Sequence, residues 1–117
     1  ELFSGGGGYL IFSDIGAPGY PKSIEVEGRY RDLGDYYAIG GPGKVGTVDL
    51  AAKRRVMRPL GQWNHFEIVA RGGTVVTSLN GTAISKIDKH DYTAAGNIAI
   101  QSQGRKMAYR NMRIKAE

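Results

Sequence analysis

The chain has 117 residues, 18 Gly, 4 Pro, no Cys and a formal net charge of +5. This length corresponds to one domain over residues 1–117, and the lack of Cys excludes disulfides, thiolate metal sites and Cys nucleophiles. No apolar stretch is long enough for a transmembrane helix, and the basic residues are spread along the chain, so we expect neither a membrane nor a nucleic acid as partner.

The first clear pattern, over residues 24–30, is a period-two alternation of apolar and charged residues. Such alternation is typical of a β-strand with one buried face. One face carries Ile24, Val26 and Tyr30, and the other carries Glu25, Glu27 and Arg29. We therefore predict a half-buried strand with these charged residues on its other face. Residues 64–70 repeat the alternation and predict a second strand.

Residues 49–57 (DLAAKRRVM) begin with an Asp that can cap a helix and are soon followed by Pro59. Their apolar positions do not make a complete helical stripe. We therefore predict a loop here, with at most one helical turn.

The strongest local signal is the Asn80-Gly81 dipeptide between two β-prone runs. Asn and Gly both tolerate the positive φ that a type I′ turn requires, so the dipeptide predicts a two-residue hairpin loop. This loop would pair Leu79 with Thr82, Thr77 with Ile84 and Val75 with Lys86.

Two further strands are predicted near the end of the chain. In residues 97–103, Ile98 and Ile100 face one way, while the polar face carries Asn97, Gln101 and Gln103. Residues 107–115 also alternate, but the apolar parity changes between Tyr109 and Met112, which a β-bulge at residues 110–111 would explain. Many strands, many turns and little helix predict an all-β sandwich or barrel.

Two carboxylates on the residue 24–30 strand suggest acid–base chemistry. Glu25 and Glu27 are two residues apart on one face, which separates their positions by roughly 6.6 Å at strand rise. Carboxylates about 5–9.5 Å apart can flank a glycosidic bond as acid and base. Arg29 on the same face could lower a neighbouring pKa or hold a sugar oxyanion. The alternative is a solvated strand face with cross-strand ion pairs.

Other side chains suit a carbohydrate ligand. The amides of Gln101 and Gln103 can both donate to and accept from vicinal hydroxyls. Arg110, at the expected bulge, could bind a carbonyl or enolate oxygen, with structural ion pairing as the alternative. Tyr37 is the preferred aromatic platform, whereas Trp63 is expected to pack at the core edge.

Metal ligands are not evident in the sequence. The two histidines, His65 and His90, have no partner at a recognisable ligand spacing, so we expect no His-based zinc site. A divalent ion held by carboxylates is left open.

Several motifs in fixed order resemble the 3-keto-disaccharide hydrolase domain family. They are GQWNHFEIVARG at residues 61–72, LNG at 79–81, GNIAIQSQG at 96–104 and YRNMRI at 109–114. The family pattern is G-x-W-N, N-G, G-x-I-x-L-Q-x-x-G and F-R-N-I-x-I. Residues 21–27 resemble a further family strand, in which Glu27 stands where Gln is common. Gln103 stands where a His is frequent.

The resemblance implies a concanavalin-like jelly roll of two antiparallel sheets and cleavage of glycosidic bonds in 3-keto sugars. It implies catalytic roles for Glu25, Glu27 and Arg110, with Arg29, Tyr37, Gln101 and Gln103 binding substrate, and a periplasmic or extracellular location. A non-catalytic carbohydrate-binding module and a structural or assembly sandwich remain the alternatives. From the resemblance we expect the family's N-terminal strands to be missing before residue 7, and therefore a homo-oligomer or strand exchange that covers open sheet edges.

Overall fold

The computed structural model describes residues 2–3, 7–14, 20–92 and 95–116, and most of its elements are strands. In chain order the strands are β1 (Leu2–Phe3), β2 (Gly8–Ser13), β3 (Ser23–Glu27), β4 (Tyr36–Ile39), β5 (Gly43–Val45), β6 (Thr47–Val48), β7 (Phe66–Arg71), β8 (Thr74–Leu79), β9 (Thr82–Ile87), β10 (Asn97–Ile100) and β11 (Ala108–Tyr109). A 3-10 turn covers Tyr30–Asp32, and helix α1 covers Leu50–Val56. Within these ranges no helix has the length and apolar character that a membrane crossing needs.

The longer strands form two antiparallel sheets. One has five strands in the order β10-β2-β3-β4-β5, and the other has four in the order β6-β9-β8-β7. The short strands β1 and β11 pair with each other. Buried residues of both sheets share one apolar cluster, which includes Ile24, Val26 and Tyr36 from the first sheet and Val75 and Ile87 from the second. This arrangement confirms the predicted all-β sandwich.

A buried hydrogen bond joins the two layers at the centre of the core. The Tyr36 hydroxyl donates to Oγ1 of Thr77 at 2.6 Å and also lies 3.2 Å from the carbonyl oxygen of Ser85. Tyr36 and Thr77 are fully buried, so this pair satisfies polar groups that would otherwise be costly to bury. The contact fixes how the five-stranded sheet sits on the four-stranded one.

Strand β3 confirms the predicted alternation of faces but not the predicted exposure. All five of its residues are buried, including both glutamates. The strand lies between β2 and β4 in the sheet, so its charged face is not an open edge. The strand also ends at Glu27, and Tyr30 belongs to the following 3-10 turn. The prediction that Tyr30 extends the apolar face was therefore wrong.

The Asn80-Gly81 hairpin is confirmed, with φ of 49° and 88° at its two central residues. Leu79 pairs with Thr82 as predicted, but an irregularity between Thr77 and Ser78 shifts the register beyond it. Thr77 therefore pairs with Ser85, and Val75 pairs with Ile87. The predicted partners of these two residues were one position out, because turn chemistry fixes register only as far as the first bulge.

The prediction of a loop over residues 49–57 was wrong, because the segment contains helix α1. The Asp49 side chain accepts a hydrogen bond from the Ala52 backbone N–H at 2.9 Å and so caps the helix. Ala52 packs with Leu33, Leu79 and Ile84 in a second apolar cluster. Lys53 is buried too, and its Nζ donates to the Arg31 carbonyl oxygen at 3.2 Å. The helix packs through a short apolar face and the buried side-chain stem of Lys53, although its sequence has no complete apolar stripe.

The C-terminal strand is much shorter than predicted. Only Ala108 and Tyr109 are in a ladder, instead of residues 107–115. Asn111 has a φ of 54°, so the backbone does change direction at the predicted position. That turn takes the chain out of the sheet instead of forming a bulge within it. Residues 4–6 of the N-terminal glycine run lie outside the described residues.

Candidate active site

The two faces of the five-stranded sheet have different characters. Residues that pair across antiparallel strands project to the same side of a sheet. Glu25 pairs with Leu10 and Tyr37, and Tyr37 pairs with Lys44, so these four positions share one face. Val26 and Tyr36 occupy the opposite face and enter the core. We call the face that carries Glu25, Tyr37 and Lys44 the outer face.

The register brings Gln101 to the same end of the outer face as the glutamates. Gly8 pairs with Glu27, and the Gln101 backbone N–H donates to the Gly8 carbonyl oxygen at 3.0 Å. A Cβ added at Gly8 would lie 3.4 Å from Oε1 of Gln101 and only 2.5 Å from the Val26 carbonyl oxygen. Because Gly8 has no side chain, the Gln101 amide can lie over the sheet at this position.

Glu25 is a buried carboxyl group with an unsatisfied oxygen. The residue is 6% exposed, and its Oε1 has no hydrogen-bond partner among the described residues. Burial raises the pKa of Glu25 above its ordinary value, and the charge of Glu27 raises it further. Arg29 and a hydrogen bond with the Tyr20 side chain act in the opposite direction. The result is a carboxyl group with a raised pKa and one free acceptor, which suits general acid–base work.

Glu27 has a different environment although it is only two residues away. It is 2% exposed. Its Oε1 accepts from the Arg29 backbone N–H at 2.8 Å, and its Oε2 accepts from the Arg29 guanidinium at 3.1 Å. Nε of Arg29 lies 3.4 Å from an Asp32 carboxylate oxygen. Glu27 and Arg29 therefore hold the turn that follows β3, and both carboxylate oxygens of Glu27 are occupied.

A glutamine and a tyrosine share the outer face with Glu25. Gln101 is 7% exposed, and neither its Oε1 nor its Nε2 has a partner among the described residues. Tyr37, the predicted aromatic platform, is half-buried directly across from Glu25. Gln103 is exposed and follows the end of β10, so its predicted role in binding stays a prediction.

The structure gives Arg110 a different neighbour. Its guanidinium carbon lies 4.1 Å from the centre of the Trp63 ring, a distance suited to a cation–π contact. Trp63 comes shortly before β7, which is the edge of the other sheet. Trp63 is half-buried, as expected for a packing role. The predicted catalytic role of Arg110 stays a prediction.

Tyr20 is the residue of this group that the sequence did not reveal. It lies in the connection between β2 and β3, where no periodic pattern predicts a side-chain direction. Only Pro21, which restricts the residue before it to extended backbone, gave a local signal. Its effect on the pKa of Glu25 is one that sequence periodicity does not specify.

Neither a metal cluster nor a cavity marks the position of Glu25 in the part of the chain that the structure describes. Among the described residues, no cluster of three or more His, Asp or Glu side chains is arranged to hold a metal ion. A cavity of about 330 Å³ is lined by Phe12, Ser13, Lys22, Tyr92 and their neighbours, at the opposite end of β2. Glu25 and Gln101 do not line this cavity, so we base the site on their buried, unsatisfied polar atoms and not on cavity volume.

Comparison with known proteins gives one match. The family model described as 3-keto-alpha-glucoside-1,2-lyase-like domain matches residues 10–115. No curated protein and no solved structure matches the chain. The matched segment begins within β2, ends in the C-terminal segment and includes Glu25, Tyr37 and Gln101. The chain belongs to the family of 3-keto-alpha-glucoside-1,2-lyase-like domains.

Proposed function

We propose that this domain cleaves the glycosidic bond of a 3-keto-glucoside, with Glu25 as the general base. A ketone at C3 makes the hydrogen on C2 acidic. A base that removes this proton creates an enolate, whose electrons then form a C1–C2 double bond as the C1–O bond breaks. The reaction needs a base near C2, a donor for the C3 oxygen and a proton for the leaving oxygen.

The observation that carries the proposal is the unsatisfied Oε1 of Glu25 on a face that also holds an unsatisfied amide. Native proteins rarely leave buried polar atoms without partners, and such atoms call for a functional explanation. Nε2 of Gln101 can donate to the C3 oxygen, and Oε1 of Gln101 can accept from a sugar hydroxyl. Because both oxygens of Glu27 are bonded to Arg29, we assign the base to Glu25 and a supporting role to Glu27.

We predict that Glu25→Gln lowers turnover of a 3-keto-α-glucoside by about 10²-fold or more, since general bases typically contribute that much. The substitution keeps the shape of the side chain and removes the base. Release of the free alcohol from the glucoside measures the effect. The matched control is Glu67→Gln, an exposed carboxylate on β7 of the other sheet, which should leave turnover unchanged.

Two outcomes would count against the proposal. Turnover by Glu25→Gln within a few-fold of the parent would remove Glu25 from the chemistry. Binding of 3-keto sugars by the parent without any turnover would instead support a non-catalytic binding module on the same face.

A further inference from the structure

We propose that the cavity at the Ser13 end of β2 is a second binding site, separate from the outer face, which takes a single neutral sugar ring. The cavity measures about 330 Å³, and Asp14, Lys22, Asp91 and Tyr92 are among the residues of its wall. Its volume lies at the lower end of the range for small-ligand pockets, about 300–1,000 Å³. The proposal does not rest on the function proposed above, because none of the groups assigned there lines this cavity.

An irregularity in strand β2 forms one part of the cavity wall. Between the pairs Leu10–Ala99 and Ser13–Asn97, β2 advances by three residues while β10 advances by two, so β2 contains a β-bulge. Phe12 lies in this bulge and has a φ of 53°, a region that bulky side chains rarely adopt. Bulges and strained backbone of this kind are found preferentially beside active sites and ligand sites.

Ser13 contributes a buried hydroxyl without a partner to the cavity wall. The residue is 1% exposed, and its Oγ has no hydrogen-bond partner among the described residues. Ile11 and Phe12 both pack against the core, so the bulge interrupts the alternation just before Ser13, and Ser13 lines the cavity. A buried hydroxyl without a partner is costly and calls for an explanation. A hydroxyl group of a bound ligand would supply the missing partner.

Contacts within the fold hold the other parts of the wall in place. The Tyr92 hydroxyl donates to the Ile39 carbonyl oxygen at 2.8 Å, and Nζ of Lys22 lies 5.2 Å from the centre of the Tyr92 ring. A Cβ added at Gly96 would lie 2.6 Å from Cα of Phe12, so a glycine is needed where β10 approaches the bulge. The cavity is therefore built by the strand pairing and by the Tyr92 contact, and it does not depend on a ligand for its shape.

The polar groups of the wall match the hydroxyls of a neutral sugar. The carboxylates of Asp14 and Asp91 accept hydrogen bonds, and the ammonium group of Lys22 donates them. The Ser13 hydroxyl can do both. Each sugar hydroxyl can also donate and accept, so one ring can pair with groups of all three kinds. The Tyr92 ring adds an apolar surface for the C–H groups of the sugar.

Other classes of ligand fit this wall less well. Two carboxylates against one lysine disfavour a phosphate or another anion. An apolar ligand would leave the Ser13 hydroxyl without a partner. A metal ion lacks ligands here, since the described residues contain no cluster of three or more His, Asp or Glu side chains arranged to hold one.

A ¹H–¹⁵N NMR titration with sugars that carry no ketone tests the site. The probes are methyl α-glucoside, methyl α-mannoside and methyl α-galactoside. We expect at least one of them to shift the amide signals of residues 12–14 and 95–97 in a saturable manner. Ser13→Ala should weaken this binding by about three- to tenfold, as the loss of one hydrogen bond predicts. The variant should be at least as stable as the parent in urea, because its hydroxyl has no partner to lose.

Ala95→Trp is the variant that blocks the cavity. Ala95 is an exposed residue of the wall, so an indole at this position should fill the cavity and abolish the saturable shifts. The matched control is Ala70→Trp, at an exposed position on β7 of the other sheet, which should bind the sugars as the parent does. Circular dichroism of each variant confirms folding.

Three results would overturn the proposal. The first is the absence of saturable shifts with all three sugars, and the second is unchanged binding by Ala95→Trp. The third is a set of shifts confined to Glu25, Gln101 and their neighbours, which would place the sugars on the outer face alone. Inorganic phosphate and ethylamine should leave residues 12–14 unshifted, and a shift with either of them but not with the sugars would contradict the assigned ligand class. Turnover by Glu25→Gln tests the proposed function separately.

Discussion

Glu25 and Glu27 show how neighbouring identical side chains acquire different chemistry. Both lie on the outer face of β3, and both are buried. The turn after β3 brings Arg29 back onto Glu27, where backbone and guanidinium donors occupy both carboxylate oxygens. Glu25 keeps one carboxylate oxygen without a partner among the described residues, and burial raises its pKa. The alternation predicted the shared face, but only the turn distinguishes their roles.

We predict that the difference in free energy of unfolding between the parent and Glu25→Gln depends on pH. The folded-state pKa of Glu25 is raised above its ordinary value of 4.5, so folding favours the protonated carboxyl. The protonated Glu25 carboxyl contributes its full stabilisation at pH values below the pKa of the unfolded state. This contribution is lost as the pH rises through the pKa of Glu25 in the folded state. Glutamine cannot ionise and suffers no such loss. Urea unfolding should show the variant gaining stability relative to the parent as the pH rises above the ordinary pKa of 4.5.

The Glu67→Gln variant is again the control, because Glu67 is exposed. Its stability difference from the parent should change little over the same pH range. If the Glu25→Gln and parent stability curves ran parallel, the proposed burial of an ionisable carboxyl at Glu25 would be contradicted.

Among the elements, those set by local chemistry were predictable and those set by packing were not. The Asn80-Gly81 turn needs only two residues that accept positive φ. Helix α1 depends on its contact with Leu33 and Ile84, which are distant in sequence. The C-terminal segment has a strand pattern, but after Asn111 it leaves the ladder. A two-residue period therefore predicts alternation of faces but does not guarantee a partner strand.

The N-cap of helix α1 should contribute measurably to the stability of the fold. Asp49→Ala removes the acceptor of the Ala52 N–H and should destabilise the fold by about 1 kcal/mol. Urea unfolding at neutral pH measures the change. Asp88→Ala is the comparison, because Asp88 is an exposed partner of Lys86 and such pairs contribute about 0–1 kcal/mol. An Asp49→Ala variant as stable as the parent would mean that α1 does not depend on its cap.

Across the whole molecule, the sequence predicted a sandwich of two antiparallel sheets, and this was confirmed. It did not predict the contact of Arg110 with Trp63, because the two residues are far apart in the sequence. The roles assigned to the site residues stay predictions. The homo-oligomer stays a prediction. A candidate interface for it is β10, which is an edge strand of the five-stranded sheet and carries the half-exposed side chains of Ile98 and Ile100. Edges of this kind favour pairing with another chain.

A crystal structure with a 3-keto-C-glucoside tests the central claim most directly, because its C1–C bond does not break. We expect Oε1 of Glu25 to lie about 3–3.5 Å from C2 of the sugar and the Gln101 amide to hydrogen-bond to the sugar oxygens. A sugar bound instead against Trp63, or in the cavity beside Tyr92, with Glu25 out of reach of C2, would contradict it.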